Sequence, residues 1–406
     1  MSMPRRRRTE VPPTAGLPPR WSDLSPFART ASHGEDLARR AANFLDSDCV
    51  QVECSGTAAL IVALTTLHRL SGRRVVVVPA YTCPLVALAV SHCGLEVRIC
   101  DLAPASIDFD AAELARLCDR DVLGVVPTHL AGRVADVDTA LAIARNVGAF
   151  VIEDAAQALG ARRQGKPVGS AGDVGFFSLA VGKGLTTYEG GLLVARDANM
   201  SRELARTSRE IIPHRLGWEF KRSLQLLGYH AFYRPSLLRF VYGAPLRRAL
   251  RRGDPVAAVG DDFSSHIPLH TLGRWRQSVG ARAFARLPAF LQASAAQARR
   301  RKARLAQIAG VHVLDDAQES QGTWPFLLLR LPHEAARDAA LLRVWSAGLG
   351  VSRLFIHALP DYDYLHPVIG EHAVPNARTF AATTLTISNS PWLDDADFEE
   401  ICAALT

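Results

Sequence analysis

Short runs of β-branched and apolar residues recur through the first half of the chain, at Val50–Glu53, 74–78, Glu96–Cys100, 122–126 and 150–153. Between them apolar residues fall at helical spacing, as with Leu60, Leu64 and Leu67, or along Val137–Val147. Strands alternating with helices in this way predict a parallel sheet with crossover helices on its faces, an α/β fold. Beyond Glu153 the rhythm changes to glycine-rich turns and short strands at Val174–Ser178 and Gly191–Ala195, which predicts antiparallel or mixed pairing. Residues 201–255 are basic and aromatic, and Pro235 and Pro245 keep the helices there short. A long helical stretch over about 272–308, broken near Pro288, leads to a strand at 326–331, a helix at 333–348, a strand at 383–387 and a last helix at Asp395–Leu405. The expected organisation is an N-terminal tail over 1–30, a large domain over 31–255 with a basic helical insert at about 201–255, and a smaller C-terminal α/β domain over 256–406.

With 406 residues and 48% hydrophobic content the chain exceeds what one core usually organises, in keeping with two domains. No apolar run approaches the ~18–20 residues of a membrane-spanning helix. The four arginines at 5–8 are followed by Thr9, Glu10, Pro12 and Pro13 where a secretory signal would place its apolar core, so they read as a solvated tail. Seven cysteines, an odd count without paired zinc-type spacing, fit reduced thiols in a cytoplasmic protein and predict no metal site. The net charge of +7 is local: residues 215–252 hold nine Lys or Arg against Glu219 alone, and with the arginines at 5–8 set aside the remainder is mildly acidic. Such a distribution does not suit a duplex-binding surface, and nucleic acid is not an expected partner.

Three segments carry chemistry. Ser55-Gly56-Thr57-Ala58 stands where a strand gives way to a helix, and free amides with small side chains there can cradle a phosphate. The same residues equally suit a capped helix with nothing bound. Glu153 and Asp154 end an apolar strand, at the sheet edge where α/β proteins bind ligands. An acid there can keep a heteroaromatic nitrogen protonated, or simply cap the next turn. Lys183 lies between Gly182 and Gly184 after the strand that ends at Ser178, a setting in which desolvation frees an amine for Schiff-base chemistry. Most lysines merely reach for solvent. Together, a phosphate cradle, an acid for a pyridine nitrogen and a reactive lysine are what pyridoxal phosphate requires.

In their order these segments resemble the DegT/StrS sugar aminotransferases, fold type I pyridoxal-phosphate enzymes. The resemblance also rests on residues 79–82, on His129-Leu130-Ala131-Gly132, on Ala155, Ala156 and Gln157, on 172–178 and on Glu189-Gly190-Gly191. It is clear over about 30–200 and weaker at 274–290 and 375–405. It implies a large, mostly parallel-sheet domain with a smaller C-terminal α/β domain. Lys183 would be the Schiff-base lysine and proton shuttle, and Asp154 the partner of the pyridinium nitrogen. Gln157 would lie near the ring substituents, while Gly56, Thr57 and Ser178 would bind the phosphate. Sugar dehydratase relatives have histidine at the lysine position, so Lys183 favours amination. The resemblance further implies a homodimer, an amino donor, taken to be glutamate, and a nucleotide-linked keto sugar as acceptor, with a role in polysaccharide or cell-envelope sugar biosynthesis. A cyclitol or benzoate-precursor ketone is the alternative within this chemistry.

The chain departs from the family pattern at two places. Cys83 stands where many relatives stack an aromatic ring on the cofactor, so either Cys83 gives a thinner contact or Tyr81 swings in. The segment 264–269, where relatives supply an asparagine to the neighbouring subunit's phosphate, contains none, leaving Ser265 or His266 as replacements. His129 either positions a ligand or is a satisfied structural histidine. Arg353 either receives the donor carboxylate or is a surface arginine. The insert interleaves Trp218, Phe220, Tyr229, Phe232, Tyr233, Phe240 and Tyr242 with its cations. Such a segment suits the inner face of the membrane, a nucleotide-sugar diphosphate, or plain packing between domains. A non-catalytic descendant that binds through the insert is the rival from outside enzymology.

Overall fold

The computed structural model describes residues 9–25 and 36–406. The arginines at 5–8, and residues 26–30 of the expected tail, lie outside the described residues.

Seven strands form the main sheet: β1 (Val50–Glu53), β2 (Val75–Pro79), β3 (Glu96–Cys100), β4 (Val122–Val125), β5 (Phe150–Asp154), β8 (Val174–Ser178) and β9 (Gly191–Ala195), with the short strands β6 (Arg162–Arg163) and β7 (Lys166–Pro167) intervening in sequence. The order is β1-β9-β8-β5-β4-β2-β3. From β3 to β8 neighbours run parallel, whereas β9 is antiparallel to both β8 and β1. The change of rhythm after Glu153 therefore marks a change in pairing. Strands β2 and β4 are buried along their whole length, which is why they read as unbroken apolar runs. The helix Gly56–Ser71 is apolar nearly all round and lies inside the large core, with Ser55 capping its start and Gly72 (φ 72°) closing its end.

The smaller sheet pairs β10 (His312–Val313), β12 (Phe326–Arg330), β14 (Thr384–Ser388) and β13 (Val351–Ser352), in that order and antiparallel throughout. Leu327, Leu329, Leu385 and Ile387 build its core with the helices Glu334–Val344 and Asp395–Leu405. A third, three-stranded sheet joins β11 (Ser320–Gln321) to the hairpin of β6 and β7, tying the two regions together.

The expected long helix is two, Arg274–Phe284 and Leu287–Leu305, with Pro288 in the first turn of the second, where its missing N–H costs nothing. Packing places the first of them and the start of the second with the large domain: Ala281, Phe284 and Leu287 share a core with Leu37, Leu159 and Phe177. Apart from Val11, the buried residues of the small-domain core begin at Ala298. That division lies well beyond the expected boundary at 255.

Residues 9–24 also depart from the expected tail. Val11, Ala15, Leu17 and Leu24 are buried, and the amides of Val11, Ala15 and Leu17 donate to the carbonyls of Gly348, Pro325 and Gly184. A proline-rich segment has few donors to satisfy, so it can run extended across both domains as a strap.

A further buried acid ends β1, paired with Gly191. Glu53 accepts from Gln51 Nε2 at 2.8 Å, and burial pushes its carboxyl up to about 7, against its hydrogen bonds with Ser208 and Gln51. An acid whose folded pKa exceeds its unfolded one costs stability as pH rises from about 4.5 through 7, here on the order of 3 kcal/mol. The unfolding midpoint of the protein should fall between pH 5 and pH 8 by more than that of Glu53→Gln. Parallel pH profiles for the two would contradict this.

Candidate active site

The C-terminal ends of β4, β5 and β8 deliver Thr128, Asp154 and Ser178 to one edge of the sheet, and Thr128 bridges to Asp154. Ser178 is buried, and its hydroxyl accepts from Ala180 N at 3.3 Å. Gly56 opens the neighbouring helix so close by that a Cβ there would lie 3.1 Å from Ser178 Cβ. A Cβ on Gly191 would fall 2.3 Å from the Ser55 carbonyl oxygen, so two glycines let these turns meet. The Ser55 hydroxyl takes the Ala58 amide at 3.0 Å, leaving the amides of Gly56 and Thr57 at the open helix start beside Ser178. Where the sequence showed separate motifs, the fold makes a single cradle of amides and a hydroxyl, of the kind a phosphate occupies.

Beside it lie Asp154, Lys183 and Cys83, near enough for the charge of each to act on the others. Burial raises the Asp154 carboxyl, opposed by the Ala156 amide that donates to it at 3.0 Å and by Lys183. Burial lowers the Lys183 ammonium, opposed by Cys83 where it ionises and by Asp154. The Cys83 thiol is pushed up to about 12 by burial and stays protonated near neutrality. Lys183 is carried on a turn in which its amide bonds Ala180 O at 3.2 Å and Gly182 adopts φ 83°. The N-terminal strap crosses this turn: a Cβ on Gly16 would lie 2.9 Å from the Lys183 carbonyl oxygen. A cavity of about 70 Å³ lies there, lined among others by Thr14, Gln157, Lys183, Thr323 and Leu354. Gln157 Oε1 accepts from the Ala131 amide at 2.7 Å, which holds its side chain in place.

The two acids that end β5 have different tasks. Glu153 is buried and accepts from Gly169 N (2.8 Å), Ala171 N (2.6 Å), Gly172 N (2.6 Å) and His129 Nε2 (3.0 Å). Burial alone would raise its carboxyl, but His129 and the loop amides hold it below the usual range. The Ala135 amide donates to His129 Nδ1 at 3.0 Å, which leaves the ring proton on Nε2, toward Glu153. His129 is thus a satisfied structural residue.

Other expectations are settled by packing. Tyr81 does not swing toward the site: its hydroxyl donates to Phe355 O and accepts from Phe355 N, both at 3.1 Å, and its ring packs on Phe355 and Phe380. Arg353 is not a surface arginine; it donates to Ile356 O (2.8 Å) and Ala381 O (2.7 Å), and its Nε is buried without a partner among the described residues. Ser265 and His266 are exposed. Sequence reasoning missed Asp261, Tyr362 and the strap. Asp261 is buried, accepts from Tyr362 Oη at 2.7 Å and Ile356 N at 2.8 Å, and its charge is felt at Cys83. Burial pushes its carboxyl up to about 6. The doublet Asp261-Asp262 was the available signal, but its burial depends on residues a hundred positions away.

The insert packs inward through a defined set of side chains. In the helix Leu216–Phe232, Glu219 pairs with the fully buried Arg276, while Arg222 pairs with Glu189 and lies 4.9 Å from the Trp218 ring. Leu226 packs with Leu24 and Val279, and Tyr233, just past the helix, lies 4.8 Å from Trp392.

With this geometry in view, comparison with known proteins decides the lineage. Residues 24–222 match the model of the DegT/DnrJ/EryC1/StrS aminotransferase family. This segment belongs to that family. A GDP-perosamine synthase of Caulobacter vibrioides is 37% identical over 150 residues, covering 37% of this chain and 40% of the relative. An L-glutamine:2-deoxy-scyllo-inosose aminotransferase of Streptomyces fradiae is 32% identical over 185 residues, 46% of this chain and 43% of that one. The matched segment thus spans about two fifths of the length of these curated relatives. Over the whole chain the fold is that of the sugar aminotransferase CalS13 of Micromonospora echinospora, with a TM-score of 0.72, 20% identity, and coverage of 97% of this chain and 99% of that one. The expected fold type I architecture, a mostly parallel sheet domain with a smaller C-terminal domain, is the one this chain adopts.

Proposed function

We propose that this protein is a pyridoxal-phosphate-dependent aminotransferase that moves an amino group from an amino acid, glutamate in the first instance, to the keto group of a nucleotide-linked sugar. The observation that carries the reading is the convergence of the Gly56, Thr57 and Ser178 cradle with Asp154 and Lys183 at one sheet edge. The residues fit the cofactor. Asp154 is a buried carboxyl whose charge is supported only in part, by Ala156 and Lys183, and a protonated ring nitrogen is the cation it lacks. When bound, pyridoxal phosphate supplies an electron sink for the carbanion formed at the substrate carbon. In this reading Gly56 N, Thr57 N and Ser178 Oγ hold the phosphate, and Asp154 keeps the proton on the ring nitrogen. Lys183 Nζ would be the covalent anchor and, once released, the base that takes the proton from the substrate carbon and the acid that delivers one to the cofactor carbon. Burial shifts that amine toward its neutral form, the form that accepts a proton. Cys83 and Gln157 border the ring, with Cys83 a thin neutral contact rather than a stack.

The DegT-family relatives support this class of substrate, since one is named for a GDP-linked sugar product and another for a cyclitol ketone acceptor. The second name also keeps a cyclitol acceptor as an alternative and glutamine as an alternative donor. The remaining parts of the reading are a homodimer, a place in polysaccharide or cell-envelope sugar biosynthesis, and a cytoplasmic location with peripheral contact at the inner membrane face through residues 215–252. No helix of the described residues is long and apolar enough to cross a membrane. The test is formation of 2-oxoglutarate from glutamate in the presence of nucleotide-linked keto sugars, with a keto-cyclitol and glutamine run alongside. Turnover with the sugars supports the proposal; turnover with the cyclitol alone transfers it to that substrate; no transfer to any acceptor overturns it.

A further inference from the structure

The insert helix Leu216–Phe232 has two unlike sides. Leu226 and His230 are buried on one, where Glu219 and Arg222 are engaged by Arg276 and Glu189. On the other, Leu216, Phe220, Leu224 and Leu227 follow at i, i+4, i+8 and i+11, and so fall in one narrow stripe. They are 85%, 67%, 52% and 39% exposed, although helices of this length normally bury such a stripe. Gly217 and Gly228 flank it and keep its surface low. Farther along the insert, the π-helical turn Arg239–Gly243 exposes Phe240 and Val241 as well.

The exposed charge of the insert from 215 to 252 has one sign. Arg215, Lys221, Arg234, Arg248, Arg251 and Arg252 are exposed, and the one acid between 215 and 252, Glu219, is turned inward onto Arg276. A second copy of the chain docked two-fold on this face would bring two cation-rich surfaces together. An anionic lipid surface satisfies both features, because headgroups neutralise the cations while the leucines and phenylalanines enter the acyl boundary.

We infer that the outer face of the helix Leu216–Phe232, together with the basic residues around it, docks on an anionic bilayer. This specifies the membrane contact included in the functional proposal, and it holds whatever the acceptor of the amino group is. Its consequence would be an active site kept at the membrane face, where a lipid-linked process consumes an amino sugar.

The test is flotation of the full chain with phosphatidylcholine vesicles, with and without phosphatidylglycerol, at low and high salt. The wild type is expected to float with the anionic vesicles and less with the neutral ones, and salt should weaken the binding. Phe220→Asp with Leu224→Asp should lower the bound fraction by about tenfold, with far-UV circular dichroism unchanged because both side chains point outward. Arg248→Glu, Arg251→Glu and Arg252→Glu combined should remove the preference for anionic lipid. A wild type that stays with the pellet, or an aspartate pair that floats as well as wild type, overturns the inference. So does a change of oligomeric state in the aspartate pair without vesicle binding by the wild type, which would assign the face to a second copy. The readout is vesicle binding, so failure here leaves the transaminase proposal standing, and a failed amination assay leaves this one standing.

Discussion

Replacing Lys183 with alanine should lower amino transfer by about 10⁴-fold or more while the protein stays folded. The lysine is the amine that burial holds below its ordinary pKa beside Asp154 and Cys83, and no other lysine lines its cavity. Its side chain is not part of a structural ion pair among the described residues, so the loss should appear in kcat and not in stability. Lys183→Arg would retain the charge near Asp154 but not a free nucleophilic amine, and should be equally inactive. The measurement is single-turnover conversion of glutamate to 2-oxoglutarate with cofactor in excess, together with thermal unfolding of each variant. Activity within tenfold of wild type in Lys183→Ala would remove Lys183 from the chemistry.

The largest stability effect should come from Glu153, not from its neighbour Asp154. Glu153→Ala removes the acceptor of three loop amides and of His129, and Gly169, Gly172 and His129 are buried. Leaving those donors unpaired costs about 3–6 kcal/mol, enough to lower the melting temperature by roughly 5–15 °C or to prevent recovery of folded protein. The linkage has a definite sign. A carboxyl whose folded pKa is depressed stabilises above its unfolded pKa, and that contribution disappears as pH falls through the folded value. Wild-type stability should therefore decline below about pH 4.5, and the variant should show a shallower decline. Thermal unfolding between pH 3.5 and 7 of both proteins, about 1 pH unit apart, reads this directly. An alanine variant as stable as wild type would show that the loop 169–172 finds other acceptors.

Much of this was legible because it depends on local order. The strands Val50–Glu53, Glu96–Cys100, Val174–Ser178 and Gly191–Ala195 were readable to the residue, since the first two alternate polar and apolar residues and the last two are largely apolar runs that begin after Asp173 and Gly190. Ser55 to Thr57, Asp154 and Lys183 stood out because strand ends and glycine-flanked turns have recognisable composition, and the fold brings them to one edge. What stayed hidden depends on contacts far apart in sequence. Nothing local distinguishes Glu153 from Asp154; the difference is that the loop 169–172 folds back onto one of them. Tyr81 is fixed by the backbone of Phe355, and Arg353 by carbonyls of Ile356 and Ala381, none of which a linear reading pairs. The strap at 9–24 looked like a polar, proline-rich tail because its buried residues are spaced as an extended segment between prolines, without helix or strand periodicity. The insert gave up its composition but not its sides: only the packed structure separates Arg222 and Glu219, turned inward, from Phe220 and Leu224, turned out.

The most direct measurement of the central claim is the visible absorbance of the protein after reconstitution with pyridoxal phosphate, recorded with and without excess glutamate, beside Lys183→Ala. A yellow, lysine-linked band that glutamate bleaches, and that the alanine variant lacks, is the predicted result. A wild type that remains colourless after reconstitution would contradict the account.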